Sequence, residues 1–354
     1  MSLLETTLAA IAPGDDSWRV RATERLDQLT MPHWALGRLM DLAVDLAGMT
    51  RSIHPPVGRK AIVTMAGDHG VVAEGVSKYP QEVTAQMVQN FVHGGAGINA
   101  LARLVDAEVV VVDMGVAGDL SSLSESGKIV GKRIAAGTAN MAQGPAMSRE
   151  QALAAVEAGI QVAQDLGERI DVFGTGDMGI GNTTPSTAIA AAVTGKSVSE
   201  LAGRGTGIDD EQLQTKIRVV QQSLKINAPN ASDGLDLLAK VGGFEIGGIA
   251  GLILGAAAQQ KPIVIDGFIS TAGALIAQLL EPRAADYMIA AHRSMEPGHK
   301  AMQEKLGKTP LMDLDLRLGE GTGAALAMNL IEAAVRVLTE VATFEEAHVA
   351  EANE

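Results

Sequence analysis

Three glycine-bracketed stretches carry the side chains best able to do chemistry. In GTGDMGIGNTTP (Gly174–Pro185), Asp177 has Gly176 before it and Gly179 two positions after. In RLGEG (Arg317–Gly321), Glu320 stands between two glycines, just before a long helical pattern. A carboxylate so little shielded can reach a ligand and act as a general base; its plainer use is as an acid answering a helix start. In GRGTGIDDE (Gly203–Glu211), a glycine loop leads into a helix capped by Asp209 or Asp210, with Lys216 further along it. Backbone N–H groups and a lysine near a helix start suit a phosphate, although from this segment alone a solvated surface lysine is the simpler expectation. AHRSMEPGH (Ala291–His299) adds the Ser294 hydroxyl. GDHG sets Asp68 beside His69, but the seven histidines show no ligand-spaced pair with an acid, so no metal site is expected.

The first stretch also spells G-x-G-x-x-G, through Gly174, Gly176 and Gly179. A dinucleotide fingerprint needs a second strand ending in an acid about 20 residues on. TGKSVSELAGRG follows instead, and the motif sits at the third strand-like run, not the first. TGKS (Thr194–Ser197) looks like a P-loop ending, but the required first glycine falls at Ala190. What remains is an anion-friendly helix start, with Thr184 expected as N-cap and Pro185 as the first helical residue. Asp177 lies in the same loop.

The elements that must position these residues alternate. Lys60–Gly70, Glu108–Val116, Arg169–Gly179 and Lys261–Phe268 are short, apolar on consecutive positions and rich in β-branched residues. That is the pattern of strands buried on both faces of a parallel sheet. Helical patterns cover Pro80–Val92, Gly97–Ala107, Ser148–Glu168 (with a Ser148/Gln151 capping box), Asp209–Leu224 and Gly234–Gln260. The expected fold is therefore α/β: a doubly wound, Rossmann-like parallel sheet with helices on both faces. All four runs end in an Asp near a Gly, namely Asp68, Asp113, Asp177 and Asp266. One such Asp is an ordinary turn former. Four together, at the edge where parallel sheets bind ligands, point to a site. Gly243, Gly247, Gly251 and Gly255 recur every four residues and are expected to bring a helix close onto the sheet. The chain ends are helical without strands, so residues 1–48 with 324–354 are expected to form a small helical domain beside a large α/β domain, 49–323.

Net charge is −14, from 28 basic and 42 acidic residues. This excludes the basic footprint of a nucleic-acid binder. The absence of cysteine excludes thiolate catalysis, thiolate metal ligation and disulfides. Ile246–Ala258, an apolar run next to Glu245, is too short to span a bilayer, and the first residues do not read as a leader. A soluble cytoplasmic protein is expected.

AGDHGVVAEGVS, FGTGDMGIGNTTPS, SDGLDLLAKVGGFEIGGIAGLILGAA, VIDGFISTAGAL and RLGEGTGAALAM occur in this order. Together they resemble the nicotinate-nucleotide–dimethylbenzimidazole phosphoribosyltransferase family of cobalamin biosynthesis, from about Leu36 to the C-terminus. The resemblance implies that nicotinate mononucleotide donates its phosphoribosyl group to a benzimidazole nitrogen, with inversion at the sugar carbon and release of nicotinate. It implies no cofactor and usually a homodimer. It makes Glu320 the general base. Asp177 falls where relatives usually carry Glu, near the ribose. Gly179 and Gly181 would approach the nucleotide; Gly205, Lys216 and Ser294 match phosphate contacts; Tyr79, Pro80 and Met87 match the base pocket. Tyr79 and Met87 stand where a relative has polar residues, so the acceptor stays open among benzimidazoles, purines and phenols. The other readings are a non-catalytic nucleotide-binding relative, which the intact GEG argues against, and a nicotinamide-dependent oxidoreductase, which lacks its ribose-binding acid.

Overall fold

Two-sided burial requires consecutive apolar residues, and all four apolar runs form strands of one parallel sheet. The computed structural model describes residues 1–350; the last residues of the acidic tail, 351–354, lie outside the described residues. Helices α1 (Leu3–Ala10), α2 (Asp16–Leu26) and α3 (Arg38–Thr50) precede β1 (Lys60–Gly67). α4 (Val83–Val92) and α5 (Gly97–Leu104) lead to β2 (Ala107–Gly115), and α6 (Ser121–Glu125) to β3 (Val130–Gly131). α7 (Arg149–Gly167) precedes β4 (Val172–Met178). Five helices separate β4 from β5 (Ile263–Ile265): α8 (Thr183–Thr194), α9 (Val198–Leu201), α10 (Asp210–Asn227), α11 (Gly234–Val241) and α12 (Phe244–Ala258). α13 (Phe268–Leu280), β6 (Met288–Ala290), α14 (Pro297–Leu306), α15 (Thr322–Glu340) and α16 (Phe344–Ala347) complete the order.

The sheet order is β3-β2-β1-β4-β5-β6, parallel throughout. Strand order reverses between β1 and β4, which makes that crevice the topological switch point where doubly wound sheets bind ligands. α12 covers one face, backed by α7 and α13; α15 and α5 cover the other. β1 alternates accordingly: Ile62 and Thr64 meet the Glu320–Gly321 turn before α15, and Met65 meets Gly248 of α12.

Several expectations need correction. The Gly234–Gln260 pattern is two helices, broken at Gly242–Gly243. The four-residue glycine stripe of α12 packs on helix α7, not on the sheet: a Cβ on Gly251 would lie 1.9 Å from the Val156 carbonyl oxygen. A four-residue repeat marks one helix face, and this one admits another helix's backbone. α8 starts at Thr183 with Asn182 as its cap, so Thr184 is not the N-cap and Pro185 is the third helical residue. Gly181, at φ 86°, turns the chain into the helix earlier than expected, and the Asn182 amide is directed to Asp177. The Ser148/Gln151 capping box forms as read.

The chain ends meet: α2 and α3 pack on each other and on α15, and Thr30 N–H donates to the Ala342 carbonyl. α1 instead packs on α7 and α12. By length and apolarity alone α15 could cross a bilayer. Here its apolar face is taken by β1, β4, β5, α3 and α5.

Candidate active site

The carboxyl ends of β1 and β4 open onto a cleft with two parts. The wider part, about 380 Å³, is bordered by Asp177, Gly179, Gly181, Glu320, Tyr79 and Met87. The narrower part, about 80 Å³, is bordered by Gly205, Ser294, Glu296 and His292. Asp177, Asn182, Thr183, Gly205, Thr206 and Leu318 belong to both. A larger hollow of about 580 Å³ lies at the start of β1, around Lys60, at the edge opposite to the one such sheets use for ligands.

Glu320 is left-handed at φ 62°. That costs a non-glycine residue roughly 1–2 kcal/mol and is the kind of strain kept at functional sites. Its N–H donates to the Asp177 carbonyl at 3.2 Å, and its own carbonyl accepts from Thr64 Oγ1 at 3.0 Å. Gly176 makes room for this: a Cβ there would lie 2.4 Å from the Glu320 carbonyl oxygen. Glu320 Oε2 accepts from the Ile98 N–H at 3.0 Å, so the start of α5 faces the carboxylate. Burial raises its pKa above the usual carboxylate value, opposed by the N–H groups of Ile98 and Gly97. The result is a stronger base than the same group in water.

Asp177 Oδ2 accepts from Asn182 Nδ2 at 2.9 Å, while Oδ1 is buried without a hydrogen-bond partner. Burial, then the charge of Asp266, pushes its pKa up to about 8; Glu245 and Glu320 add to this and the Asn182 hydrogen bond opposes it. A cationic ligand beside it would draw it back to the ionised form.

The other three strand-end acids do not line the cleft. Asp68 accepts from the Ala117 N–H, and Asp113 from the N–H groups of Gly115 and Val116. Asp266 accepts from Gly321 and Ala324 at the start of α15. The four-acid site reduces to one acid, because the turns leaving the strands need acceptors for their buried N–H groups.

Lys216 is 1% exposed, which overturns the solvated-lysine expectation. Its Nζ donates to Thr183 Oγ1 (2.8 Å) and the Gly203 carbonyl (3.0 Å), behind the Gly203–Gly205 loop rather than on the cleft wall. Burial lowers its pKa to about 8, with Glu296 opposing. Across the loop, the Gly205 N–H donates to Glu296 Oε1 at 2.9 Å. The Ser294 N–H donates to His299 Nδ1 at 2.8 Å. His299 therefore carries its proton on Nε2 and donates it to Thr271 Oγ1 at 2.9 Å, which fixes the Ser294 turn.

The structure thus brings together Glu320, Asp177, Gly179, Gly181, Gly205, Ser294, Tyr79 and Met87. Lys216 stands one layer back, and Pro80 is exposed beside the cleft without lining it. Sequence reasoning missed Thr64, Ile98, Asn182 and Glu296. Glycines before an amphipathic helix, GGAGIN, were the signal for the Ile98 cradle; Glu296 had none beyond its closeness to Ser294.

A switch-point cleft that joins a buried carboxylate base to a glycine-lined end is the layout of a nucleotide-handling α/β enzyme. A family model described as "Phosphoribosyltransferase" matches residues 11–349. A Syntrophotalea carbinolica protein named nicotinate-nucleotide–dimethylbenzimidazole phosphoribosyltransferase is 63% identical over 351 residues, 99% of each chain. One of the same name from Desulfotalea psychrophila is 62% identical over 347 residues, 98% of each. The crystal structure of the Thermus thermophilus protein of that name superposes with TM-score 0.90 at 45% identity, over 96% of this chain and 100% of that one. The chain belongs to the nicotinate-nucleotide–dimethylbenzimidazole phosphoribosyltransferase family.

Proposed function

We propose that this chain transfers the phosphoribosyl group of nicotinate mononucleotide to 5,6-dimethylbenzimidazole or a related base, with Glu320 as general base. The bond from the sugar C1′ to the nicotinate nitrogen breaks, and its electron pair leaves with nicotinate, whose ring nitrogen becomes neutral. An azole nitrogen attacks the opposite face of C1′, and Glu320 takes the azole N–H proton. The products are α-ribazole 5′-phosphate and nicotinate. No acid is needed for the leaving group, because the pyridinium is already cationic. Asp177 supports the positive charge that grows on the sugar.

One observation carries this reading: Glu320 and Asp177 border the same cavity, which continues to the Gly205 and Ser294 end. The Gly179 and Gly181 backbone lies along the nucleotide. Gly205 and Ser294 take the phosphate, and Lys216 supplies its charge from behind the loop. Tyr79 and Met87, with Pro80 beside them, take the acceptor. We take the enzyme to be a cytoplasmic homodimer in which the chain-end helices form the small domain. The test is nicotinate release from nicotinate mononucleotide with a panel of azole, purine and phenol acceptors, products separated by chromatography. Release with dimethylbenzimidazole is expected; none with any acceptor would sink the reading. Sedimentation of the purified protein tests the dimer.

A further inference from the structure

Beneath the Asp177 loop lies a buried acid–imidazole pair that the proposed mechanism does not use. His69 follows β1 by two residues, and Glu245 sits in the first turn of α12. His69 Nε2 and Glu245 Oε1 are 2.8 Å apart, at 1% and 0% side-chain exposure. Three glycines leave space for the pair. A Cβ on Gly243 would lie 2.5 Å from both the His69 ring and Glu245 Oε2; on Gly67, 3.0 Å from Oε2; on Gly179, 3.3 Å from His69 Nε2. Gly179 is two residues from Asp177, so the imidazole underlies the turn that carries that acid.

A buried ion pair is a poor stabiliser, since a well-packed apolar pair would serve as well or better. Its surroundings suggest another use. The buried charged groups bearing on Asp177 include Asp266 after β5, Glu245 on α12 and Glu320 before α15, all acidic. Asp68, beside His69, is acidic too. Of the cleft's arginines, Arg204 is paired with Asp210 and Arg317 is exposed. Yet Asp177 must be negative to support a cationic sugar. We propose that His69, held by Glu245, is a positioning residue that gives the Asp177 carboxylate a positive neighbour during phosphoribosyl transfer. Burial pulls the imidazole pKa down, but Glu245, Asp68 and Asp177 outweigh it and leave it above the ordinary histidine value. The inference rests on the reading of Asp177 as acting on the sugar.

The test is the pH dependence of kcat/KM in His69→Gln. Without the positive neighbour Asp177 ionises less readily, so the acid limb moves to higher pH by about one unit: about tenfold slower than wild type near pH 6.5, and within about threefold near pH 9. A fall that is uniform with pH, or an unmoved limb, overturns the proposal. Asp177→Asn separates the two levels. If it leaves turnover intact, the Asp177 reading falls first. If it abolishes turnover while His69→Gln leaves the limb in place, only the role of His69 falls. Should His69→Gln not fold, ¹⁵N-histidine NMR of the wild-type protein decides. One slowly exchanging ring that stays doubly protonated at a pH where ordinary histidines are neutral is expected. Seven rings all neutral at that pH would overturn the proposal.

Discussion

The two ends of the cleft are built on opposite plans. At the wide end most of the wall is side chains, Val76, Val83, Met87 and Ile180, with Tyr79 open to solvent, beside the Gly179 and Gly181 backbone. At the narrow end backbone and buried polar groups predominate: Gly205, which borders the wide end too, Ser294 and Glu296, beside Phe268 and Ile269, with Lys216 and His299 behind. A side-chain wall can change by substitution while the fold stays as it is. A backbone wall cannot, because moving Gly205 means moving its Glu296 contact and the Gly203–Lys216 contact two residues before it. The contrast suits an enzyme that keeps one donor and varies its acceptor, and substitutions at each end can break it or sharpen it.

The largest effect belongs to Glu320, at the wide end. Glu320→Gln keeps an acceptor for the Ile98 N–H but removes the base, so kcat/KM falls about 10²–10⁴-fold with every N–H acceptor. The KM for nicotinate mononucleotide is expected to stay within about threefold. If steady-state nicotinate release shows the loss in that KM instead, Glu320 belongs to the donor end and the division fails. Next comes Lys216→Met, which removes the buried charge behind the narrow end. A charge-assisted contact is worth about 1.5–3 kcal/mol, so the nucleotide KM rises about tenfold or more. The acceptor KM should hold, and a rise there of the same size would break the comparison.

Met87→Gln is expected to do the reverse. A polar group in an apolar wall discriminates against methyl groups by about 1–3 kcal/mol. With dimethylbenzimidazole, kcat/KM then falls about tenfold, unsubstituted benzimidazole loses less, and the nucleotide KM is unmoved. Equal losses with both acceptors would mean that the methyl groups do not lie against Met87.

What could be read from the sequence followed from how local its cause was. The long strands β1, β2 and β4 were visible because two-sided burial writes itself into consecutive residues such as Val109–Val112, and three-residue β5 through the apolar run KPIVI that leads into it. β3, of two residues, is too short to leave a pattern, and β6 (Met288–Ala290) is no longer than β5 but lacks its run of β-branched residues. Asp177 and Glu320 stood out because their own neighbours are glycines. The burial of Lys216 did not, since its helix is polar (DDEQLQTKIRVVQQSL) and the lysine is covered by a loop and a helix start elsewhere in the chain. Ile98 and Glu320 are 222 residues apart, and His69 and Glu245 are 176. No local spacing announces such pairs. The glycines of G-x-G-x-x-G were conspicuous but do not share one use: Gly176 admits the backbone of Glu320, while Gly179 admits that of Gly67 and also borders the cleft.

The smallest effect is on stability, and it tests whether the floor between the two ends is as dry as its burial implies. Asp177 in the folded protein holds its proton up to about pH 8, against an ordinary value of 3.8. Below the ordinary value both folded and unfolded chains are protonated, and the group adds no pH dependence. Between the two values the folded chain holds a proton that the unfolded chain has released, so stability falls as pH rises; the slope ends above about 8. Asp266, pushed up to about 7 by burial, acts in the same sense. Asp177→Asn keeps an acceptor for the Asn182 amide and has nothing to titrate. Its Tm is therefore expected to gain on wild type between pH 5 and pH 8, by about 1–2 °C for each 1 kcal/mol of difference in a chain of this length. A Tm difference that stays constant from pH 5 to pH 8 would mean that Asp177 is already ionised in the folded enzyme. Its charge would then already be met in the folded enzyme, by water or by the His69 imidazole beneath it, and the pH profile of His69→Gln tells which.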